Sequence, residues 1–298
     1  MTSSVVEPVE TRVGFVGLGN IGKPMALRLA SWPGGLTVYD VVPDPLRELE
    51  KAGARVASSL ADLAAECAVI SVMVRDDDQV RDVIGEILGA ARPGTVVAVH
   101  STVSPDLPPQ LEDLAGRHDL LLVDAPVSGG AMGAADGTLA IMVGGSDAAY
   151  DAVRGPLGLM GSEIVHCGPA GNGTAAKLAR NLLHFVAFTA TGEALRLAEA
   201  AGVDLVALGR IVRHTDAITG GPGAIMHRAT TAPLAPEDGW TPIFEHVLAL
   251  GSKDLAHAIE LAGQLGVEVP MAQYAAEHLG EALGLASTGS TAVEGATV

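Results

Sequence analysis

Aromatic residues are scarce: two Trp, three Tyr and four Phe make up 3% of a 298-residue chain that is 48% hydrophobic. The core must therefore be aliphatic, built from Ala, Val, Leu and Ile. Bases are also few, 18 Lys and Arg against 35 acids, for a net charge of −17. So acidic a chain repels DNA, RNA and anionic lipid, which excludes nucleic acid and membrane as expected partners. Apolar runs stay far below the ~20 residues of a membrane span. The longest candidate, residues 182–190, is interrupted by His184. Cysteine is nearly absent. Cys67 and Cys167 form neither a disulfide framework nor a metal-ligand spacing, so no metal site is expected. Cys67 borders an apolar, strand-like run and reads as a buried, inert thiol. This usage fits a reducing cytosol and predicts a cytoplasmic protein. Residues 1–11 lack the basic and apolar regions of a signal peptide. They and residues 286–298, rich in Ser, Thr and Gly, read as flexible tails.

What is present is periodicity. Apolar, β-rich runs at 13–18, 36–39, 68–74, 95–99 and 120–123 alternate with helix-like segments at 21–31, 45–52, 77–91 and 106–117. Buried runs alternating with helices predict βαβ units, right-handed crossovers and a parallel sheet. Residues 128–137 are Gly-rich and lead into further strands at 138–143 and 163–166. Beyond Asn172 strand signals vanish. Residues 174–201 carry almost no breaker except Gly192 and predict one helix of nearly thirty residues, stopped by Gly202. Shorter helices are expected at 205–214, 243–265 and 271–285. The break at Gly168-Pro169-Ala170-Gly171 separates an α/β domain, 12–169, from an all-α domain, 170–285.

The first strand runs into Gly17-Leu18-Gly19-Asn20-Ile21-Gly22, the pattern G-x-G-x-x-G. In a chain with 37 glycines that pattern alone is weak. Its context strengthens it, because a strand precedes it, a helix follows and the next strand ends in Asp40. Gly17 would allow the tight turn, Gly19 the approach of a pyrophosphate, and Gly22 close contact of helix and strand. The helix N-terminus offers N–H groups and the positive end of its dipole to phosphate. Asp40 stands near the spacing expected for an acid on the adenosine ribose. A carboxylate there repels a 2′-phosphate, so NAD is expected rather than NADP. Val74 and Arg75, at a later strand tip, would face the same crevice. The run Asp76-Asp77-Asp78 reads as a helix N-terminus, where acids are favoured.

Lys177 and Asn181 are four residues apart and share one face of the long helix, with Arg180 at their flank. A polar face on a helix otherwise apolar nearly all round suggests that it lines a cleft between the halves. A lysine in a dry cleft has a lowered pKa, which suits proton transfer near neutral pH. An ordinary surface lysine is the alternative, and helix position alone does not separate the two. His184 reads as a hydrogen-bonded packing residue.

Four separated motifs resemble the β-hydroxyacid dehydrogenase family, across residues 12 to 285. They are the glycine loop with Lys23-Pro24-Met25-Ala26, the segment Asp124-Ala125-Pro126-Val127-Ser128-Gly129-Gly130, residues 171–181, and Lys253-Asp254-Leu255. The resemblance implies an N-terminal Rossmann domain and an all-α C-terminal domain opened by the long helix. It also implies an NAD-dependent oxidoreductase acting on a small, carboxylate-bearing hydroxy acid of the 3-hydroxyisobutyrate kind, or on its semialdehyde. Lys177 would be the acid–base residue and Asn181 a hydrogen-bonding group beside it. Ser128, Gly129 and Gly130 would bind the substrate carboxylate, with Ser101 also on the substrate side. Thr102 would lie at the nicotinamide, and Lys253 would reach the cofactor across the domain gap. Two positions depart from the family pattern, Arg75 where many members have Pro and Arg180 where many have Asn. Arg180, near the substrate pocket, would admit a second anionic group. An NADPH-dependent semialdehyde reductase and a non-catalytic dinucleotide-binding module are the alternatives. Asp40 opposes the first, and Lys177 with Asn181 opposes the second. Phosphogluconate dehydrogenases have a longer helical half, and imine reductases do not fit Lys177. A helix so long and apolar also predicts a homodimer or homotetramer.

Overall fold

The computed structural model describes residues 11–228 and 230–285, so the expected tails lie almost wholly outside the described residues. By internal contacts the chain forms two compact units, one ending at Arg180 and one beginning at Asn181. In the first, six parallel strands lie in the order β3-β2-β1-β4-β5-β6. They are β1 (Val13–Val16), β2 (Leu36–Tyr39), β3 (Arg55–Val56), β4 (Val69–Val72), β5 (Val96–Val99) and β6 (Leu121–Asp124). Strand order reverses between β1 and β4, and in such sheets the ligand crevice opens at the carboxyl ends beside that point. Three more strands, β7 (Val127–Ser128), β8 (Leu139–Gly144) and β9 (Gly161–Gly168), extend the sheet. β8 runs antiparallel to β6 and β7, and β9 runs parallel to β8.

Every residue of β1, β4 and β5 is buried, as a parallel sheet covered on both faces requires. The pleat sends alternate residues to opposite faces. Val96 and Ala98 join one aliphatic cluster with Phe15, Met25 and Leu29. Val97 and Val99 join the other with Ile70, Ile84 and Leu107. The covering helices are α1 (Gly22–Leu29), α2 (Pro43–Lys51), α3 (Leu60–Glu66), α4 (Asp77–Leu88), α5 (Leu107–Gly116), α6 (Gly130–Asp136) and α7 (Asp147–Met160). The aspartate run opens α4 as expected. Asp76 caps it by accepting the Gln79 N–H at 3.0 Å, and this bond with the neighbouring Arg75 lowers the Asp76 pKa.

Five of these elements, β3, α3, α6, β7 and α7, escape the periodicity. α7 shows why. It holds Gly155 and Pro156, which read as breakers. Yet Ser146 caps it at Ala149 N–H, 3.3 Å, and Val153, Leu157 and Met160 are buried. A Cβ on Gly155 would come within 3.3 Å of the Trp32 ring. Packing therefore outweighs local propensity there. Cys67 is buried as expected, and burial pushes its thiol up to about 12, so it stays protonated and inert.

The long helix α8 (Asn172–Ala200) begins in the first unit and continues into the second. It is followed by α9 (Leu205–Thr219), a 3-10 turn (Gly221–Ile225), α10 (Thr241–Leu265) and α11 (Pro270–Ala282). Caps fix their ends. Asp204 accepts the Ala207 N–H at 2.6 Å at the start of α9, while Gly220 and Gly266 end α9 and α10 at φ of 87° and 67°. Glu193 of α8 is buried and accepts the Met271 and Ala272 N–H groups of α11 at 2.9 and 3.2 Å. No helix among the described residues is long and apolar enough to cross a membrane.

His100, at the end of β5, is fully buried. Its Nδ1–H donates to the Ala125 carbonyl at 2.8 Å, and its Nε2 accepts from the Ser71 hydroxyl at 3.0 Å. Burial lowers its pKa from 6.5 to about 4. The folded state thus refuses a proton that the unfolded chain accepts. The resulting stability is fully present above pH 6.5 and is lost as pH falls toward 4, about 3 kcal/mol in all. Urea melts across this range should show a steeper loss for the native protein than for His100→Asn. Equal slopes would show that His100 titrates normally.

Candidate active site

The loop after β1 explains two of its three glycines internally. Gly17 has φ +89°, and a Cβ there would sit 2.1 Å from the Met73 carbonyl oxygen. A Cβ on Gly22 would sit 2.0 Å from the Gly17 carbonyl oxygen. Gly19 is different, because nothing lies within 4 Å of where its Cβ would be. The protein itself gives no reason for glycine there, whereas a ligand lying against the loop does. The N–H groups of Gly19, Asn20 and Ile21 find no acceptor among the described residues. They stand at the start of α1, where the helix dipole favours phosphate. These residues line a cleft of about 570 Å³ with Asp40, Val74 and Arg75. Its wall includes Val41, Leu60 and Val83, an apolar surface suited to a base. Loop and cleft therefore fit a dinucleotide.

Asp40 follows β2 and faces the same cleft. Its two carboxylate oxygens accept the Leu18 N–H at 2.5 Å and the Val42 N–H at 2.7 Å. It fixes the glycine loop and still presents lone pairs to the cleft. Leu18 is itself buried, so it contributes its backbone. Charge around the cleft is mainly negative. Asp40, Asp82 and Glu86 line it with Arg75, which pairs with Asp76 at 2.8 Å. Beside it, Lys23 pairs with Glu48 at 2.8 Å.

Ser101 is buried, and its hydroxyl donates to the Val74 carbonyl at 2.7 Å while accepting the Val74 N–H at 3.0 Å. It is a strut between the tips of β4 and β5. Thr102, next to it, is exposed.

Lys177, one of the two catalytic candidates, lies elsewhere in the first unit. Asp124, buried at the end of β6, accepts the Gly171 N–H at 2.7 Å and the Thr174 N–H at 2.6 Å. It thereby caps α8 from a distant part of the chain. Gly173 and Gly144 make room for this docking. A Cβ on Gly173 would meet the Met142 carbonyl oxygen at 2.4 Å and the Asp124 carbonyl oxygen at 2.7 Å. One turn into the helix, Lys177 is 8% exposed, and its Nζ donates to the Val127 carbonyl at 2.6 Å. The lysine is thus held beside Ser128, Gly129 and Gly130. The last two are exposed, adopt φ of +133° and +63°, and have N–H groups without acceptors among the described residues. Desolvation lowers the Lys177 pKa, and the nearby Arg180 guanidinium lowers it further. Asn181 lies one turn beyond on the same helix, and Arg180 is exposed.

His184 packs against Phe188 with ring centroids 4.2 Å apart and ring planes tilted by 52°. Lys253, on α10, is exposed and pairs with Asp254 at 3.2 Å. Asp124 had been visible only as part of a motif. Its signal was a lone acid ending the apolar run Leu120-Leu121-Leu122-Val123. His100 had a similar signal, a polar residue closing an apolar strand.

Known proteins resemble this chain over most of its length. Residues 12–168 match the family described as the NAD binding domain of 6-phosphogluconate dehydrogenase. Residues 171–293 match the family described as NAD-binding of NADP-dependent 3-hydroxyisobutyrate dehydrogenase. The chain belongs to the β-hydroxyacid dehydrogenase family. It is 48% identical to an uncharacterized oxidoreductase of Mycobacterium tuberculosis, over 93% of this chain and 95% of that one. A crystal structure of an oxidoreductase from Mycobacterium avium 104 aligns with a TM-score of 0.89 at 48% identity, covering 92% of this chain and 98% of the other. The 3-hydroxyisobutyrate dehydrogenase of M. tuberculosis, solved with L-serine, aligns with a TM-score of 0.65 at 33% identity, over 90% and 91%. This family member is accordingly an NAD(P)-dependent oxidoreductase of the CH–OH group.

The glycine loop separates binding from folding. Gly19→Ala should leave the unfolding free energy read from urea melts within about 0.5 kcal/mol of the native protein, yet weaken NADH at least ~10-fold in a fluorescence titration, because the new methyl stands where the ligand approaches. Gly17→Ala, forced to positive φ against a carbonyl, should cost at least about 1 kcal/mol of stability. Undiminished NADH affinity in Gly19→Ala would place the pyrophosphate elsewhere.

Proposed function

We propose that the protein is an NAD-dependent dehydrogenase that interconverts a small β-hydroxy acid of the 3-hydroxyisobutyrate kind and its semialdehyde, with Lys177 as the acid–base group. One observation carries this reading: Lys177 is buried against the Val127 carbonyl at 2.6 Å, directly before the Ser128–Gly130 turn. A carboxylate seated on the free N–H groups of Gly129 and Gly130, with the Ser128 hydroxyl beside them, would bring the hydroxyl three bonds from its carbon toward Nζ. The bound nicotinamide would supply the hydride acceptor or donor. In oxidation, neutral Lys177 takes the hydroxyl proton as hydride leaves carbon. In reduction, the Lys177 ammonium returns that proton to the carbonyl oxygen. The Asn181 amide would hold the same oxygen. Arg180 would meet the end of the substrate remote from the reacting carbon. Thr102 and Lys253 would serve the cofactor. L-serine, the molecule bound to the M. tuberculosis relative, is itself a β-hydroxy acid.

The lowered Lys177 pKa sets the sign of the pH dependence. Oxidation needs the neutral amine, so its kcat/KM should rise with pH through a midpoint below 10.5, and reduction should fall through it. Lys177→Ala should cut kcat at least ~100-fold with NADH affinity nearly intact. Near-normal turnover in the purified variant would overturn the mechanism.

The cofactor is read as NAD on electrostatic grounds. Residues 171–293 match a family described as NADP-dependent. Here, however, Asp40, Asp82 and Glu86 line the cleft, and Arg75, the one cation among its described lining residues, is already paired with Asp76. A 2′-phosphate would meet like charge. Asp40→Asn should therefore raise the NADP-to-NAD ratio of kcat/KM at least ~10-fold. A native enzyme that already prefers NADP would refute the assignment.

A further inference from the structure

The tips of β4 and β5 carry two buried polar side chains. Ser71, the third residue of β4, and His100, just past β5, are 2% and 1% exposed. The rest of both strands is Val, Ile and Ala. Burying polar groups is unfavourable unless they are hydrogen-bonded. These two bond each other, Ser71 Oγ to His100 Nε2, at 3.0 Å.

The second ring nitrogen faces the Ala125 carbonyl at 2.8 Å. A carbonyl can only accept, so Nδ1 carries the proton and Nε2 is left to accept the Ser71 hydroxyl. Burial keeps the ring neutral, with a pKa of about 4. His100 is thus held in one tautomer and one orientation. Its backbone N–H donates to the Val72 carbonyl at 2.8 Å. The Phe15 ring, in the strand that leads to the glycine loop, lies nearly parallel to it, at 11° between planes.

What His100 holds is the link between two strands. β6 ends at Asp124 and β7 begins at Val127. Residues 125 and 126 belong to neither, yet both are buried. The Ala125 N–H donates to the Val99 carbonyl at 2.7 Å, and the Pro126 carbonyl accepts the Met142 N–H at 3.1 Å. The Ala125 carbonyl is met by a side chain instead, that of His100. The residue after it is a proline, which has a fixed φ and restricts Ala125 to extended conformations. A carbonyl held at Ala125 therefore fixes, through one stiff residue, where the Val127 carbonyl points. That second carbonyl accepts Lys177 Nζ at 2.6 Å.

We propose that His100 is a positioning residue for Lys177: by holding the Ala125 carbonyl it aims the Val127 carbonyl, which keeps the amine buried beside the Ser128–Gly130 turn. The role rests on Lys177 being the acid–base group, and His100 acts on it only through the backbone. Packing alone does not call for histidine. A leucine would fill similar space with no polar atom to satisfy, but it could not donate to Ala125.

Competitive acetylation of the full chain with trace acetic anhydride, read by mass spectrometry across pH, gives the titration midpoint of Lys177 without any substrate. Lys51 and Lys253, both exposed, are internal standards. In His100→Leu the Ala125 carbonyl loses its donor, the Val127 carbonyl turns and the amine reaches water. Desolvation is the larger cause of the lowered Lys177 pKa, so its relief should raise the midpoint toward 10.5 by at least ~0.5 pH unit. The kcat should fall at least ~10-fold while NADH affinity stays within about twofold of native. In His100→Asn the amide nitrogen takes the place of Nδ1 and restores the donor, so the Lys177 midpoint should stay native. A purely structural role would lower the thermal midpoint of either variant and leave Lys177 unmoved. A folded His100→Leu whose Lys177 midpoint is unchanged or lower overturns the proposal, and so does an Asn variant that behaves as the Leu variant does. If His100→Leu is not recovered folded, His100→Gln is read by the same results, since its amide reaches the Nε2 place beside Ser71 and leaves the Ala125 carbonyl without a donor. The labelling is independent of turnover. Near-normal turnover in Lys177→Ala ends the acid–base reading, whereas an inactive Lys177→Ala with an unmoved midpoint in His100→Leu ends this proposal alone.

Discussion

Asp124 ends a strand of the sheet with a buried carboxylate, and both of its oxygens accept backbone N–H groups from the start of α8. A buried charge is tolerated only when it is bonded in this way. The helix N-terminus, in turn, has N–H groups that need acceptors and a dipole that favours an anion. One interaction answers both needs and fixes where the long helix begins. The position of Lys177 follows from it, since a helix one residue out of register would turn the amine about 100° away from the Val127 carbonyl. Gly144 and Gly173 belong to the same device, because any side chain at either would push helix and strand apart.

The lysine is therefore tuned by its surroundings rather than by a carboxylate partner. Its hydrogen-bond acceptor is a neutral carbonyl that supplies no countercharge, its burial disfavours the ammonium, and the nearby Arg180 guanidinium is another cation. Burial and Arg180 both lower its pKa. The opposite arrangement holds at the dinucleotide cleft, where Asp40 fastens the glycine loop and acids dominate the lining. A desolvated lysine and an acid-lined cleft thus occur in one sheet-centred unit, and each follows from how strand ends present polar groups.

Much of the first unit was legible because its signals are local. Parallel strands buried on both faces appear as unbroken aliphatic runs, and the glycine loop carries its own steric logic at Gly17 and Gly22. The long helix was legible for the same reason, as a stretch almost free of breakers. What stayed hidden was α7, with Gly155 and Pro156 inside it, and the short elements β3 and β7, too brief for any period to register. α7 packs on Trp32, and β3 and β7 pair with β2 and β8, neighbours that no local window contains.

By itself, the sequence determined the alternation of strands and helices, the glycine turn, the acid at the end of β2, and the shared helical face of Lys177 and Asn181. Each depends on backbone geometry over a few residues, where spacing and position coincide. Tertiary structure decided the rest. Lys177 meets Val127 across fifty positions of chain, and Asp124 meets Thr174 across another fifty. Whether a lysine is a solvated surface group or a desolvated one with a lowered pKa depends on which strand end closes over it, and water exclusion is a property of the packed assembly of elements, not of any segment.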